Sequence, residues 1–130
     1  MVNAFKSPQQ QIFDTLFKTS INLGYRTFDF LPANDVAYPF VYIGEQFDQD
    51  RNLKDVVIGE VQQTIHIYHT QRNRRSLTDM MDNLKTEIRK LKKTENFEIR
   101  ASSITAQTLP DNSTSAALLH GIVEVTIKFN

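Results

Sequence analysis

The chain has 130 residues, and 15 lysines and arginines balance 15 aspartates and glutamates, with no cysteine. This length suits one domain over residues 1–130, which would bury roughly two-thirds of its unfolded surface without disulfides. Zero formal net charge argues against a dedicated nucleic-acid binder, and no apolar run approaches the roughly 20 residues of a membrane span. The first 20 residues lack a signal-peptide hydrophobic region, so we expect a soluble protein that is not exported by one.

The first predicted element is a helix that begins after Ser7. Ser7 can cap it, Pro8 suits the first helical position, and Gln10 completes a capping box. Gly24 is a typical helix end. The apolar residues recur at helical spacing and predict one buried stripe: Ile12, Phe13, Leu16, Phe17 and Ile21.

Two short strands are predicted next, at Tyr25–Phe30 and at Phe40–Ile43, the second of which follows Pro39 and ends at Gly44. The segment from Glu45 to Gly59 mixes both charges with little apolar periodicity, which predicts a long charged loop at about 45–59. It is either a solvated hairpin arm or an interaction arm. Its candidate interface residues are Phe47, Asp48, Asp50, Arg51, Leu53, Lys54 and Val56.

The stretch from Val61 to His69 alternates like a half-buried strand. Alternation places His69 on the face of Ile65 and Ile67, and His66 on the opposite face, so the two histidines cannot chelate one ion together. His120 is distant in sequence, and no zinc-binding spacing is present. We therefore expect structural histidines, with no metal and no cofactor.

Three arginines, Arg72, Arg74 and Arg75, follow this strand. They indicate either an anion or nucleic-acid patch or a solvated linker, and the lack of interleaved aromatic residues favours the linker. A second helix is predicted from a capping box formed by Ser76 and Asp79. Its apolar stripe is Leu77, Met80, Met81, Leu84, Ile88 and Leu91, and the basic residues expected in its last turn are Lys90, Lys92 and Lys93.

The C-terminal region predicts a hairpin from Phe97 to Phe129. A change of phase near Ser102 and Ser103 indicates a bulge, and Pro110–Ser113 has the composition of a turn. In the last strand one face is apolar: Val123, Val125, Ile127 and Phe129. The pattern predicts an α+β fold, in which an antiparallel sheet of about four to five strands carries two main helices on one face.

Catalytic motifs are lacking in the sequence. The chain contains no cysteine nucleophile and no G-x-S-x-G motif, and its four glycines are too scattered for a phosphate-binding loop. The acidic residues Asp48 and Asp50 lie on the predicted loop, where few groups would be held rigidly. We therefore expect that the protein is not an enzyme.

Three strings carry a resemblance to a known family: YPFVYIGEQ at 38–46, TIHIYHTQRNRRSLTDMM at 64–81 and LLHGIVEVTIKF at 118–129. In this order and spacing the chain resembles the tail-completion, or tail-terminator, proteins of long-tailed siphophages. The resemblance runs from Phe5 to Phe129.

The resemblance implies a structural virion protein that caps the tail tube and joins the tail to the head as an oligomeric ring, commonly a hexamer. Its implied partners are copies of itself, the tail-tube protein and a head-completion protein. DNA would pass through the ring without specific binding, and no membrane would be involved. The implied location is the head-proximal end of the tail, after assembly in the host bacterial cytoplasm.

Two alternatives remain open at the level of sequence. The first is a small nucleic-acid-binding α+β domain that uses Arg72, Arg74 and Arg75, with Arg89 as a further candidate. The second is a non-viral structural adaptor, for example in a contractile secretion machine.

Overall fold

The computed structural model describes residues 5–33, 35–53 and 56–130, with the backbone alone described over 50–53 and 56–57. In these ranges the elements are α1 (Pro8–Asn22), β1 (Thr27–Phe28), β2 (Phe40–Leu53), β3 (Val56–Thr70), a 3-10 turn (Gln71–Asn73), α2 (Arg74–Arg89), β4 (Ile99–Asp111) and β5 (Leu118–Phe129). The predicted α+β fold, with five strands and two main helices, is confirmed.

The strands form one sheet in the order β1-β2-β3-β5-β4. The four long strands are antiparallel to their neighbours, whereas β1 runs parallel to β2, pairing Thr27 with Val41 and Phe28 with Tyr42. The sheet is therefore mixed rather than wholly antiparallel. A two-residue strand carries too few side chains for the sequence to indicate its direction.

Both helices pack on one face of the sheet, as predicted, and the alternation of β5 is confirmed. The apolar stripes are confirmed with two exceptions: Ile21 of α1 is 49% exposed, and Leu91 packs on the core from beyond the end of α2. Gly121 on β5 lets α2 approach closely, since a Cβ there would lie 2.8 Å from the Met81 sulfur. The buried core on this face consists of Ile12, Leu16, Val41, Ile43, Val61, Ile65, Ile67, Leu77, Met80, Met81, Leu84, Ile88, Ile99, Leu119, Val123, Val125, Ile127 and Phe129.

The predicted N-terminal cap of α1 is half confirmed. The Ser7 hydroxyl accepts a hydrogen bond from the Gln10 backbone N–H at 3.1 Å, but the Gln10 side chain donates to Asp14 instead of returning to Ser7. The C-terminal prediction holds, because α1 ends at Asn22 and Gly24 follows with a φ of +88°.

The predicted ends of α2 are wrong. The helix begins at Arg74, two residues before Ser76, and Asn73 precedes it without a side-chain capping bond. The Ser76 hydroxyl lies inside the first turns and hydrogen-bonds to Nε2 of His69 at 3.0 Å, which removes it from a capping role. The helix ends at Arg89, so the lysines expected in its last turn, Lys90, Lys92 and Lys93, follow the helix.

The predicted loop at 45–59 is also wrong. Strand β2 continues to Leu53 and β3 resumes at Val56, and the two pair in register from Gln46 with Gln63 to Leu53 with Val56. The segment is therefore the outer part of a long β-hairpin, as in the hairpin-arm alternative. Its helical cover ends near Val61, so no buried face imposes apolar alternation on the sequence.

The described parts of the strands contain two bulges. The predicted bulge in β4 is confirmed by a register shift between Ala101 and Ser103. A second shift, which the sequence did not indicate, lies between Ile43 and Gln46 in β2. It marks the point where β2 leaves the helix-covered core and enters the arm.

Candidate assembly surfaces

The face of the sheet opposite α1 and α2, called here the open face, carries a continuous group of aromatic rings. Alternation along β2 and β3 sends Phe40, Tyr42, His66 and Tyr68 to this face, while the intervening residues enter the core. The aromatic band consists of Phe28, Tyr38, Phe40, Tyr42, His66, Tyr68 and His120, whose neighbouring ring centroids lie 4.3 to 6.5 Å apart.

The band continues into exposed apolar residues near its margins. Phe30, which packs on Phe28, is 60% exposed, and Leu31 is 59% exposed. On the other side Leu109 pairs with His120 across β4 and β5 and is 41% exposed. Grouped apolar exposure of this kind is typical of surfaces that contact a partner.

A chain of three hydrogen-bonded polar side chains lies within the band. Nε2 of His66 lies 2.7 Å from Oε1 of Glu45, and Nδ1 of His66 lies 2.7 Å from Nε2 of His120. The pairing of β3 with β5 sets Tyr68 opposite His120, and their rings stack at 4.3 Å. The sheet register thus joins two histidines that are 54 residues apart in sequence.

The charge states of this chain follow from its donors and acceptors. Ionised Glu45 only accepts, so His66 donates its Nε2–H, and a neutral His66 then accepts at Nδ1 from the Nε2–H of His120. The hydrogen bond from His66 lowers the pKa of Glu45 below its ordinary value. Burial, followed by the charge of His66, lowers the pKa of His120. Binding of a proton by these three side chains would therefore change the charge of the open face.

Gln63 holds the bulge that presents Glu45 to His66. Its side chain is 1% exposed, and its amide nitrogen lies 3.1 Å from the Gly44 carbonyl oxygen and 3.0 Å from that of Glu45. Its amide oxygen accepts from the Gln46 side chain at 3.1 Å. A buried glutamine thus provides the hydrogen bonds that the ladder loses at the bulge.

His69 lies on the opposite face from His66, as predicted. It contacts Ser76 of α2, and burial lowers its pKa. Among the residues that the structure describes, no group of three or more histidine, aspartate and glutamate side chains is arranged to hold a metal ion. The hydrogen-bonded side chains of Glu45, His66 and His120 can hold and pass a proton, but among the described residues no serine or threonine hydroxyl is hydrogen-bonded to them.

The predicted arm residues are only partly described. Phe47 is 58% exposed on the open face, and Asp48 is exposed on the other face, where it accepts from the Gln9 side chain at 3.1 Å. The side chains of Asp50, Arg51, Leu53 and Val56 lie outside the described residues, as does the whole of Lys54. Phe47 borders a polar cleft of about 350 Å³ that crosses the open face towards Ser103 and Thr105 of β4.

The predicted anion patch is exposed at one end of the molecule. Arg72 lies in the 3-10 turn, and Arg74 and Arg75 open α2. The nearest acidic partner recorded for Arg75 is Asp79, at 3.9 Å. Cations at a helix N-terminus oppose the helix dipole, so these arginines do not stabilise α2.

Sequence reasoning missed the Glu45–His66–His120 chain and the role of Gln63. The only available signal was the alternation that sends His66 and Tyr68 to one face. The contact with His120 could be found only from the register of β3 with β5.

No helix in the described part of the chain is long and apolar enough to cross a membrane.

Comparison with known proteins gives a similarity of structure but none of sequence. No protein-family model and no curated protein matches this chain. Among solved structures, the chain is similar to a chain of the "Virion of native gene transfer agent (GTA) particle", with a TM-score of 0.61 and 9% sequence identity. The similarity covers 91% of this chain and 93% of that chain. At this identity the two chains share a fold.

Proposed function

We propose that this protein is a non-enzymatic structural component of a phage-like virion. Within the virion it caps the tail tube and joins the tail to the head as an oligomeric ring, commonly a hexamer, through which DNA passes. The observation that carries the proposal is the fold shared with a chain of a gene transfer agent virion over more than nine-tenths of both chains. The sequence resemblance to tail-terminator proteins supports the narrower role.

The surfaces of the subunit support a role in assembly. Phe30 and Leu31 expose apolar area beside the aromatic band, and Phe47 exposes a ring on the arm. A closed ring needs two different complementary surfaces on each subunit. The open face with its arm, and the far edge of the sheet at β4, provide two such surfaces on opposite sides of the molecule. The proposed partners are further copies, the tail-tube protein and a head-completion protein.

A deletion of the arm tip tests this role. Removing residues 51–58 joins Asp50 to Gly59, which are paired across the hairpin, and leaves Gln49 paired with Glu60. The Asp-Gly pair then forms a two-residue turn of the kind that hairpins favour. We expect a folded subunit with a nearly unchanged melting temperature that does not form rings and leaves tails without heads.

The measurements are electron microscopy of infected-cell lysates and the content of this protein in purified particles. The control replaces 51–58 with an equally long Gly/Ser segment, which keeps the spacing but not the side chains. Normal infectious particles from the deletion would refute the role of the arm. Absence of the wild-type protein from purified virions and from assembling tails would refute the virion role itself.

A second candidate function is nucleic-acid binding through Arg72, Arg74 and Arg75. Their exposure favours it, together with their position at the end of α2 where they oppose the helix dipole. If they contact phosphates, replacing all three with alanine reduces the dependence of DNA affinity on salt concentration. An unchanged salt dependence would remove this candidate.

A further inference from the structure

From Ser103 to Leu109 the outer edge of β4 lacks the charges, prolines and bulges that natural proteins use to block strand pairing. β4 is the last strand of the sheet, and from Ala101 to Leu109 it contains no charged residue and no proline. Ser103, Thr105 and Gln107 are exposed. Long uncharged edges of this kind pair readily with another strand. The chain covers only the start of this edge, where the Ile99 N–H donates to the Lys92 carbonyl at 2.9 Å.

The opposite edge of the sheet is open along the arm. β1 pairs only with Val41 and Tyr42 of β2, so within the described residues no strand lies outside β2 from Ile43 onwards. This edge carries acidic side chains at Glu45 and Asp48, both exposed. The molecule thus has one uncharged free edge and one acidic free edge.

The strand directions make these two edges compatible. β2, β3, β5 and β4 are each antiparallel to the next, so β2 and β4 run in opposite directions. Rotation about an axis along the strands preserves these directions, and β4 of one copy then meets β2 of the next in the antiparallel sense. We infer that β4 of each subunit pairs with the outer part of β2 of its neighbour, and that the ring is closed by one continuous antiparallel sheet.

The levels of the two edges agree with this pairing. The ladder links Phe47 through Gln62 and Thr126 to Ser103, so Phe47 at one edge and Ser103 at the other lie at the same level and on the same face. Both side chains are exposed. Pairing of β4 with β4 of a second copy would also be antiparallel, but it would leave the acidic edge of β2 open. The inference rests on the proposed ring for its symmetry, and its test does not require a virion.

Disulfide trapping is direct here because the natural chain contains no cysteine. A tagged Phe47→Cys protein is mixed at high concentration with an untagged single-cysteine protein, Ser103→Cys, Thr105→Cys or Gln107→Cys. Phe47 and the three β4 positions lie on the same face, and the set covers successive two-residue shifts of register. Mixing two single variants excludes a disulfide within one chain.

In one of the three mixtures we expect the yield of the mixed disulfide to exceed the yields of both homodimers by much more than random pairing would give. Directly opposite residues bring Cβ atoms within about 4.5–5.5 Å, close to what a disulfide requires. Homodimers of the β4 variants as the main product would overturn the inference in favour of β4–β4 pairing. Absence of the mixed disulfide from all three mixtures would also overturn it.

A charge placed on the β4 edge gives an independent readout in sedimentation. Thr105 lies on the open face at the level of the Glu45 bulge. Thr105→Glu puts a carboxylate against the acidic edge of β2, so it should abolish oligomers at concentrations where the natural protein forms them, whereas Thr105→Lys should not. Oligomers that persist in Thr105→Glu, or that are lost equally in both variants while both keep the natural melting temperature, would contradict the pairing. Trapping that succeeds with a protein absent from virions would support the pairing and refute the proposed function.

Discussion

Replacing Gln63 by methionine should destabilise the protein where the arm leaves the core. Methionine has a similar volume but cannot donate to the Gly44 and Glu45 carbonyls, which Gln63 bonds at 3.1 and 3.0 Å. Each buried carbonyl left without a donor costs about 1–3 kcal/mol. Partial access of water to the bulge brings the expected total to about 2–4 kcal/mol.

The expected change in melting temperature follows from the size of the chain. Unfolding entropy of about 2.1 cal/mol/K per residue gives roughly 270 cal/mol/K for a protein of this length, so the loss corresponds to about 7–15 °C. Gln62→Met is the matched control, because Gln62 is the adjacent residue, of the same type, and exposed on the other face. The measurement is thermal unfolding followed by circular dichroism at constant pH.

The reasoning also predicts a local effect. Release of the bulge should move Glu45 away from His66, which raises the lowered pKa of Glu45 towards its ordinary value in Gln63→Met but not in Gln62→Met, as followed by NMR. Equal melting temperatures for the two variants would refute the argument that Gln63 supports the bulge. An unchanged pKa of Glu45 in Gln63→Met would show that Glu45 stays beside His66 without the support of Gln63.

Three further predictions concern pH, close packing and the core. The pKa values of His69 and His120 are lowered in the folded protein, so the unfolded state binds more protons. The stability that these histidines contribute is complete above about pH 6.5 and is lost as pH falls through their folded pKa values. His120→Gln should therefore show a smaller fall in melting temperature between pH 8 and pH 5.5 than the natural protein. Gly121→Val should cost about 1–3 kcal/mol in urea unfolding, since its side chain collides with α2, and Gly121→Ala should cost less. Leu84→Ala should cost about 2–5 kcal/mol, because Leu84 is fully buried, whereas the exposed Asp82→Ala in the same helix should cost well under about 1 kcal/mol. Similar values would contradict the assigned face of α2.

The helix-covered half of the molecule was predictable because burial on one face imposes a period on the sequence. Leu77, Leu84 and Ile88 recur at helical spacing, and Val123 and Val125 alternate, since each must reach the same core. The same rule explains why the arm was predicted as a loop. From Val61 towards the tip of the arm no helix covers either face of the hairpin. The alternation of apolar and polar residues therefore disappears there, although the backbone pairing of β2 with β3 continues.

The capping errors have a local cause. Ser76 followed by Asp79 matches a capping box, but the 3-10 turn at Gln71–Asn73 starts the helix earlier. The Ser76 hydroxyl then serves a tertiary contact with His69, which sequence spacing cannot reveal. Likewise, the pairing of His66 with His120 depends on the register of two strands separated by α2 and β4, so no local pattern indicates it.

The features that the sequence pattern did not predict are also those that lack a pairing strand or a covering surface within one subunit. The arm extends beyond the core with both faces uncovered, β4 presents an uncharged edge with no strand beside it among the described residues, and the aromatic band ends in exposed Phe30 and Leu31. A sequence selected only for a stable monomer would charge such an edge and cover or replace such rings. Departures from local consistency are expected where a protein meets its partners. The unpaired edges and the exposed side chains of Phe30 and Leu31 therefore support the proposed assembly into a ring.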